Sequence, residues 1–420
     1  MKKFFLTILL VVGVLSFFDA NTTVEKISAE KVSADETQAV APQKNFVAVN
    51  GVGVEVAATN PAEAKSSNWD DAPRFNNYKS LVDYLNGCRK NLRTTVPVIL
   101  TDDFKPDVNE VVKLAPIWYL KYTTYGSDGH NTKAIYEITN YPGERVAWAY
   151  KQRNTSFLTA EERELYNTAV QIINEAKSYS NNLLYQELYI HDAITERANY
   201  YTENPQPTLA RFQSAIGALI DGRANCQGYS DAFYMLGNMC GINVDKVNGY
   251  GNDQFHVWNT VNFGDGRNYF TDVTWDDASF SFADSGEYNT YIYFNAPTEV
   301  MTTHRWFVDY VPQNLQQIPD GRYFYYTQEF TKSNGRYFGA HSATATDALD
   351  YIAYRIAQQG YRMSWVCASA YDTKYTDANA AVNYLTKNVL PNKYGWRGYV
   401  KLNVAWRGKY MFFTVDATAK

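Results

Sequence analysis

Hydrophobic spacing predicts alternating helices and strands in the first ordered block of the chain. Leu81, Leu85, Cys88 and Leu92 recur at the spacing of one helix face, and the run from 96 to 100 has the character of a strand. The elements predicted in this block are helices at 81–92 and 108–112 and strands at 96–100, 118–122, 134–138 and 145–150. The resulting order is α-β-α-β-β-β.

The last block of the chain has a similar predicted order. Asp377 is a suitable N-cap and Pro391 a suitable stop for one of its helices, and a turn is expected at 406–408. The elements predicted here are helices at 349–356 and 378–390 and strands at 363–368, 399–404 and 410–415. The two flanking blocks are therefore hypothesised to be related α/β modules, and the alternative is two unrelated small α+β modules.

The middle block begins with helices and continues with strands. Thr159 followed by Glu162 has the spacing of a capping box, and apolar residues then recur at helical spacing. Two further helices are predicted, one over 184–201 and one over 209–220. Helices in one segment and strands in the next predict an α+β domain.

Several composition changes suggest domain boundaries. Lys2 and Lys3 precede an apolar run from Phe4 to Phe18, and small residues follow with Ala20 as the best cleavage position, which is the pattern of a signal peptide. The alternative is an uncleaved N-terminal anchor. The predicted division is a signal peptide at 1–20, a flexible linker at 21–72, an N-terminal module at 73–152, a central domain at 153–318 and a C-terminal module at 319–420.

Charge and cysteine content exclude several functional classes. The net charge is −5 over 420 residues and there is no run of Lys and Arg, so nucleic acid is not an expected partner. The four cysteines form no CxxC pair and no EF-hand spacing is present, so no metal or other cofactor is predicted. If one cysteine is a nucleophile, at most one disulfide can form among Cys88, Cys240 and Cys367.

Cys226 is predicted to begin a buried helix. Asn225 is a good N-cap and Gly241 a suitable C-terminal stop, which puts Cys226 at the first helical position. The helix dipole and the unpaired amides there favour a thiolate, and the same amides can stabilise an oxyanion. Cys240 lies on the apolar side of the same helix and is assigned to the core.

His256 and Asp272 are predicted to lie on paired strands of one hairpin. Phe255, Val257 and Val261 alternate with His256, as in a strand with one buried side. A three-residue turn over 264–266 pairs 263 with 267 and puts Asp272 on the same face as His256, as a diagonal neighbour. A two-residue turn would move Asp272 to the other face. A catalytic triad therefore requires the longer turn or a bulge.

The chemistry expected of these residues is nucleophilic attack on an amide. Cys226 attacks the carbonyl, His256 moves the proton, and Asp272 fixes the imidazole tautomer. His304 lies behind the hairpin, and a surface role is favoured for it over the alternative of a supporting role at the site. Five neighbours are candidate cleft or supporting residues, although the two tryptophans are equally compatible with simple packing of the hairpin: Gln227, Tyr229, Trp258, Asn259 and Trp275.

Three ordered motifs resemble the transglutaminase-like superfamily, which has a papain-like fold. The motifs are Cys-x-Gly-Tyr at 226–229, His-x-Trp-Asn at 256–259 and Asp-x-Thr-Trp at 272–275, and the resemblance covers about 158–312. It implies an α+β papain-like core, with a helical part and an antiparallel sheet, flanked by two small α/β modules. It also implies thiol acyl chemistry on amides with Cys226, His256 and Asp272 as the triad.

The functional expectation is a secreted bacterial cysteine enzyme that acts on protein or peptide amides through a thioester. Water as acceptor would give a peptidase, to which the expectation leans slightly, and an amine would give a transglutaminase. The alternatives are a glycopeptide amidase and a cell-envelope binding or scaffold protein. The expected partners are protein or peptide substrates, including cell-wall or host proteins, with no membrane span after signal cleavage.

Overall fold

The structure is a computed structural model that describes most of the chain beyond residue 45. The described residues are 46–49, 52–57, 69–201, 210–277, 291–306, 321–328, 340–359, 366–368, 372–407 and 410–419. The predicted signal peptide and the first part of the predicted linker lie outside them. Within the described residues, no helix is both long and apolar enough to cross a membrane.

The N-terminal part forms a six-stranded sheet with two helices. The strand order is β1-β2-β5-β6-β4-β3, and β2 runs parallel to β5. The elements are β1 (Phe46–Val49), β2 (Val52–Ala57), β3 (Arg74–Phe75), α1 (Tyr78–Lys90), β4 (Thr95–Leu100), α2 (Val108–Leu114), β5 (Tyr119–Ser127) and β6 (Thr132–Thr139). The linker prediction was therefore wrong for 46–49 and 52–57, which pair into this sheet.

Helix α1 shows how local sequence defines these elements. Asn77 caps the helix by accepting a hydrogen bond from the Ser80 amide at 3.0 Å. The spacing of Leu81, Leu85 and Cys88 then places one apolar face in the buried core of the N-terminal module.

The central part consists of four long helices and the short helix α7, packed against an antiparallel sheet of order β11-β10-β9-β12. This arrangement is the predicted α+β class. Its elements are α3 (Pro142–Gln152), α4 (Ala160–Tyr179), α5 (Leu183–Thr195), β7 (Asn199–Tyr200), β8 (Arg223–Ala224), α6 (Cys226–Cys240), β9 (Asn243–Gly251), β10 (Gln254–Asn262), β11 (Tyr269–Thr271), α7 (Val273–Asp276) and β12 (His304–Trp306).

The predicted strand at 145–150 is instead helix α3. Pro142 begins the helix, and the Glu144 carboxylate accepts from the Tyr141 amide at 3.1 Å, as in a capping box. Val146 and Ala149 pack into the core of the central domain, not that of the N-terminal module. Alternating β-branched and aromatic residues favour a strand locally, but tertiary burial of a helical face decided the outcome.

The third helix predicted for the central block, over 209–220, is not a regular α-helix in the structure. In place of a continuous helix over 209–220, the structure has a 3₁₀ turn at Arg211–Gln213 and a π-helical turn at Gly217–Asp221, with 202–209 outside the described residues. A Cβ on Gly217 would lie 2.5 Å from the Arg211 carbonyl oxygen, so the backbone folds back on itself more tightly than a regular helix permits.

The C-terminal part forms a separate core around a sheet of order β13-β14-β16-β15. Its elements are β13 (Ala340–Ser342), α8 (Ala345–Gln359), β14 (Val366–Ala368), α9 (Ala378–Asn383), a π-helical turn (Tyr384–Val389), α10 (Leu390–Tyr394), β15 (Gly398–Arg407) and β16 (Tyr410–Ala419). Pro391 was predicted to end the helix, and this prediction was wrong. The helix continues to Tyr394 because the π turn before Pro391 accommodates its missing amide N–H, and the chain turns at Gly395. Trp406 and Arg407 belong to β15 and not to a turn.

Candidate active site

Cys226 is the first residue of helix α6, as the sequence predicts. The Asn225 side chain accepts from the amides of Gln227 and Gly228, at 3.1 and 3.3 Å, and Gly241 ends the helix in the left-handed conformation. The Cys226 amide has no acceptor within the helix, so it is a candidate oxyanion donor. The Cys226 side chain is buried, with only 8% of the residue exposed.

The hairpin has the register that the longer turn requires. Strand β10 pairs Asn259 with Thr271 and Val261 with Tyr269, which confirms the predicted pairing. Strand β11 nevertheless ends at Thr271, and Asp272 caps the short helix α7. Asp272 was therefore wrongly assigned to the interior of the return strand. The prediction of one buried side of β10 was also wrong, because Val257 and Trp258, on opposite faces, are both buried.

The structure brings His256 and Asp272 into direct contact. The His256 Nε2–H donates to Asp272 Oδ2 at 2.6 Å, and both side chains are buried. Asp272 Oδ1 accepts from the amides of Thr274 and Trp275 at 3.1 and 3.2 Å. Burial opposes ionisation of Asp272, but its histidine partners outweigh this effect and hold its pKa well below the ordinary value.

His256 also interacts with Cys226. Burial disfavours the imidazolium, but Asp272 and the neighbouring Cys226 outweigh it and raise the pKa of His256 to about 10. Because Nε2 is bound to Asp272, Nδ1 is the ring nitrogen left for Cys226. The three predicted triad residues therefore meet in one buried cluster, and the charges around His256 favour its imidazolium form.

His304 is a member of this cluster that sequence reasoning misplaced. It is only 4% exposed, and its Nε2 lies 2.9 Å from the same Asp272 Oδ2 that accepts from His256. The prediction of a surface role was wrong because strand β12 pairs with β9, and this pairing carries His304 inward opposite Gly251. The only sequence signal was its position in the tail of the resemblance to the family.

Trp258 and Trp275 surround the two histidines. The Trp258 ring stacks on His256 with ring centroids 5.8 Å apart, and the Trp275 ring lies 5.2 Å from His256 and 4.5 Å from His304. Trp258 is fully buried, whereas Trp275 is partly exposed. Trp258 therefore packs the interior of the site, and Trp275 is the better candidate for contact with a substrate.

The other candidate residues have supporting positions. Asn259 donates to the carbonyl oxygens of Ser230 and Asp245, at 3.1 and 3.3 Å, and so ties β10 to α6 and β9. Tyr229 is fully buried and its hydroxyl donates to Asp277, so it is not a wall of an open cleft.

Gln227 differs from these supporting residues. It is buried next to Cys226, and neither the nitrogen nor the oxygen of its side-chain amide has a hydrogen-bond partner among the residues that the structure describes. Such unpaired buried groups are uncommon, so Gln227 remains a candidate for contact with a bound substrate.

Strand β9 supports the site and was not predicted. Its polar and glycine residues obscure the alternation of a strand, yet Gly249 pairs with His256 and Gly251 with His304. A Cβ on Gly249 would lie 2.6 Å from Trp258 Cη2, and one on Gly251 would lie 2.7 Å from Trp275 Cζ2. The glycines therefore leave the space that the aromatic rings occupy.

We expect Gly251→Ala to destabilise the protein by about 1–3 kcal/mol through overpacking and to lower Cys226 reactivity. The added Cβ would press on Trp275 and on His256 Cδ2, which is 3.3 Å away. Urea unfolding and the rate of thiol alkylation measure the two effects. The control is Gly87→Ala in helix α1, where nothing lies within 4 Å and where alanine should stabilise the helix by about 0.5–1 kcal/mol. Unchanged reactivity of the Gly251 variant would contradict the expectation.

A buried ionic network holds helix α6 in place and was not foreseen. Lys246 on β9 donates to Asp231 of α6 and to Glu144 of α3, both at 2.9 Å. Arg89 of α1 also binds Glu144 and donates to Asp245 at 2.8 Å. Asp231 in turn accepts from the Gly143 and Ala215 amides, both at 2.9 Å. The network links the N-terminal module to the helix that carries Cys226.

The site has one arrangement that resembles a metal-ligand set. Among the described residues, His256, Asp272 and His304 are the group whose ligand atoms all lie within 4.8 Å of one another. Both histidines already donate N–H groups to Asp272, and a metal would require those same nitrogens deprotonated. The arrangement is therefore better explained as a hydrogen-bonded group of side chains.

Comparison with known proteins agrees with this geometry. Residues 167–275, which contain Cys226, His256 and Asp272, match the transglutaminase-like superfamily. This segment is a transglutaminase-like domain. No curated protein matches the chain. The helices and antiparallel sheet of the transglutaminase-like domain make its fold an α+β papain-like core.

Several solved structures are similar to the chain over part of its length. A crystal structure of a TGase has 14% identity and a TM-score of 0.24, covering 48% of this chain and 59% of its own. Legionella pneumophila LapG has 12% identity and a TM-score of 0.22, and the match covers 31% of this chain and 72% of the LapG chain. The periplasmic domain of TgpA from Pseudomonas aeruginosa has 16% identity and a TM-score of 0.25, with coverage of 38% and 66%.

Proposed function

We propose that the protein is a cysteine-dependent enzyme that acts on protein or peptide amides through a thioester. The observation that carries the proposal is the buried cluster in which His256 bonds Asp272 at 2.6 Å and interacts with Cys226 at the start of α6. A cysteine at a helix N-terminus beside a histidine is in the environment that activates a sulfur nucleophile.

The proposed reaction has two steps. His256 accepts the proton of the Cys226 thiol as the sulfur forms a bond to the amide carbonyl carbon, and the Cys226 amide stabilises the oxyanion. The C–N bond then breaks as His256 gives that proton to the leaving amine. His256 then accepts a proton from water or from a second amine as that molecule attacks the thioester and releases Cys226. Asp272 keeps the imidazole oriented throughout.

Competition between water and an amine tests the proposal and identifies the acceptor. The protein is incubated with a glutamine-containing protein and a labelled primary amine, and the products are analysed by mass spectrometry. Label at glutamine side chains indicates amine transfer, and new peptide termini without label indicate hydrolysis. If neither product forms but Cys226 is alkylated rapidly, a glycopeptide amide is the next substrate to test. An unreactive Cys226 would instead favour a binding or scaffold role.

We also propose that the protein is exported. The support is the sequence pattern of Lys2, Lys3 and the apolar run from Phe4 to Phe18 before Ala20. N-terminal sequencing of protein recovered from the medium or the cell wall tests this, and an intact Met1 on cytosolic protein would contradict it.

A further inference from the structure

We propose that His304 is a positioning residue for the Cys226–His256–Asp272 site. Its hydrogen bond fixes the position of the Asp272 oxygen that binds His256, and it weakens the hydrogen bond between that oxygen and the His256 N–H. The inference deepens the proposed function and rests on it for its catalytic meaning. The hydrogen bonds from which it is argued involve only His256, His304 and the Asp272 carboxylate between them.

The hydrogen bonds of Asp272 assign a distinct role to each of its oxygens. Oδ1 accepts from two backbone amides of helix α7, those of Thr274 and Trp275. Oδ2 accepts from His256 at 2.6 Å and from His304 at 2.9 Å. His304 is therefore the one side chain besides His256 that donates to the catalytic oxygen within the described residues. A lone pair used by His304 is not available to His256.

His304 is held rigidly in this orientation. Its ring is packed by Trp275, Trp258 and Tyr293, with centroids at 4.5, 4.9 and 5.1 Å. The Thr303 hydroxyl lies 3.4 Å from His304 Nδ1, in position to donate to it. That contact favours the tautomer with the proton on Nε2, which is the tautomer that can donate to Asp272.

The charges around His304 keep it neutral. Asp272 favours its protonation, whereas burial, His256 and the guanidinium of Arg407 oppose it, and together they lower the pKa of His304 to about 4. Arg407 reaches this region through Tyr293, to whose hydroxyl its Nε donates at 3.2 Å. A neutral His304 donates a hydrogen bond to Asp272 without adding a second positive charge beside His256.

The expected consequence is a weaker pairing of Asp272 with His256. Asp272 and Cys226 act on the His256 proton directly, the His304 ring lies 5.6 Å from the His256 ring, and the Tyr200 phenol is near both Cys226 and Asp272. A carboxylate oxygen that accepts a second N–H is a weaker base toward the first. Since His256 must release its proton to the leaving amine, sharing of Oδ2 makes it a better general acid.

The test is a ¹⁵N NMR titration of the histidine rings in the Cys226→Ala background. This background removes the Cys226 side-chain sulfur and makes the result independent of any reaction. His304→Phe keeps a packed ring but removes both nitrogens, and we expect it to raise the titration midpoint of His256 by about 0.5–1 pH unit. His304→Gln keeps a neutral N–H donor and should leave the midpoint near that of the parent. His191, buried elsewhere with Asp192 and Asp276, is the internal control.

The outcomes separate the inference from the proposed function. With Cys226 restored, His304→Phe should lower the turnover number at neutral pH more than His304→Gln does. If the His256 titration midpoint is the same in the Cys226→Ala parent and in both of its His304 variants, the inference is overturned even if turnover is normal. If His304→Phe does not fold, the ¹⁵N NMR spectrum of the parent protein still tests the inference. A His304 ring that is charged at pH 7, or that carries its proton on Nδ1, would overturn the inference. A shifted midpoint without any turnover would leave the inference standing and count against the proposed function.

Discussion

Cys226→Ala is expected to abolish activity on amides while the protein remains folded. Loss of the nucleophile should reduce turnover by at least about 10⁴-fold, since no other group can form the thioester. The described surroundings of Cys226 contain no second thiol: Cys240 lies at the far end of the same helix and Cys88 in the N-terminal module. Turnover and the circular dichroism melting curve of the variant measure the two parts of this expectation.

The matched control for this prediction is Cys240→Ala. Cys240 is as buried as Cys226 and ends the helix that Cys226 begins, but it packs in the hydrophobic core. Burial raises the pKa of the Cys240 thiol to about 11, so it should be poorly reactive at neutral pH. We expect the control to lose about 1 kcal/mol of stability and to keep its turnover. Near-native turnover in Cys226→Ala would show that the proposed mechanism is incorrect.

Glu144→Gln is expected to destabilise the protein strongly. Glu144 is buried between Arg89 and Lys246, and it also accepts from the Asn140 side chain at 2.9 Å. Removing its charge leaves two buried cations that only Asp231 and Asp245 still compensate. Breaking a buried ion pair in this way costs roughly 3–5 kcal/mol. Urea unfolding measures the loss.

The control is Asp83→Asn, the same carboxylate-to-amide change in the same module. Asp83 pairs with Lys79 at 3.1 Å, but both side chains are about half exposed. Such surface pairs contribute less than about 1 kcal/mol, so the control should unfold almost like the parent protein. Similar unfolding free energies for the two variants would mean that the buried network is not what holds α1, α3 and α6 together.

Local sequence determined the identity of the site and the elements that carry it. The cap at Asn225 and the stop at Gly241 are local signals, so the position of Cys226 at the start of α6 could be read directly. The turn at 264–266 is also a local signal, but it left a three-residue and a two-residue turn open. The structure has the register of the three-residue turn, and turn length sets which residues face each other. The order of the three motifs was enough to indicate the transglutaminase-like fold.

Tertiary contacts decided the features that the sequence pattern misjudged. Residues 145–150 have a strand-like alternation, yet Val146 and Ala149 are buried only when the segment is helical. Strand β9 was not predicted because Lys246 and Asn248 are buried in it. A buried polar residue adds nothing to the hydrophobic pattern of a strand, and its burial is understood only when its distant partner is known. The helix at 378–394 continues past Pro391 because the preceding π turn accommodates it.

The sequence by itself thus indicated which three residues meet at the candidate site, and it placed Cys226 at the start of helix α6 and His256 on strand β10. Only the tertiary structure decided what surrounds them. His304 lies 32 residues beyond Asp272, and the ion partners Arg89 and Asp245 are 156 residues apart. Capping and turn signals act over a few residues, whereas a hydrogen bond between distant segments depends on how whole strands and helices pack, and no local pattern encodes it.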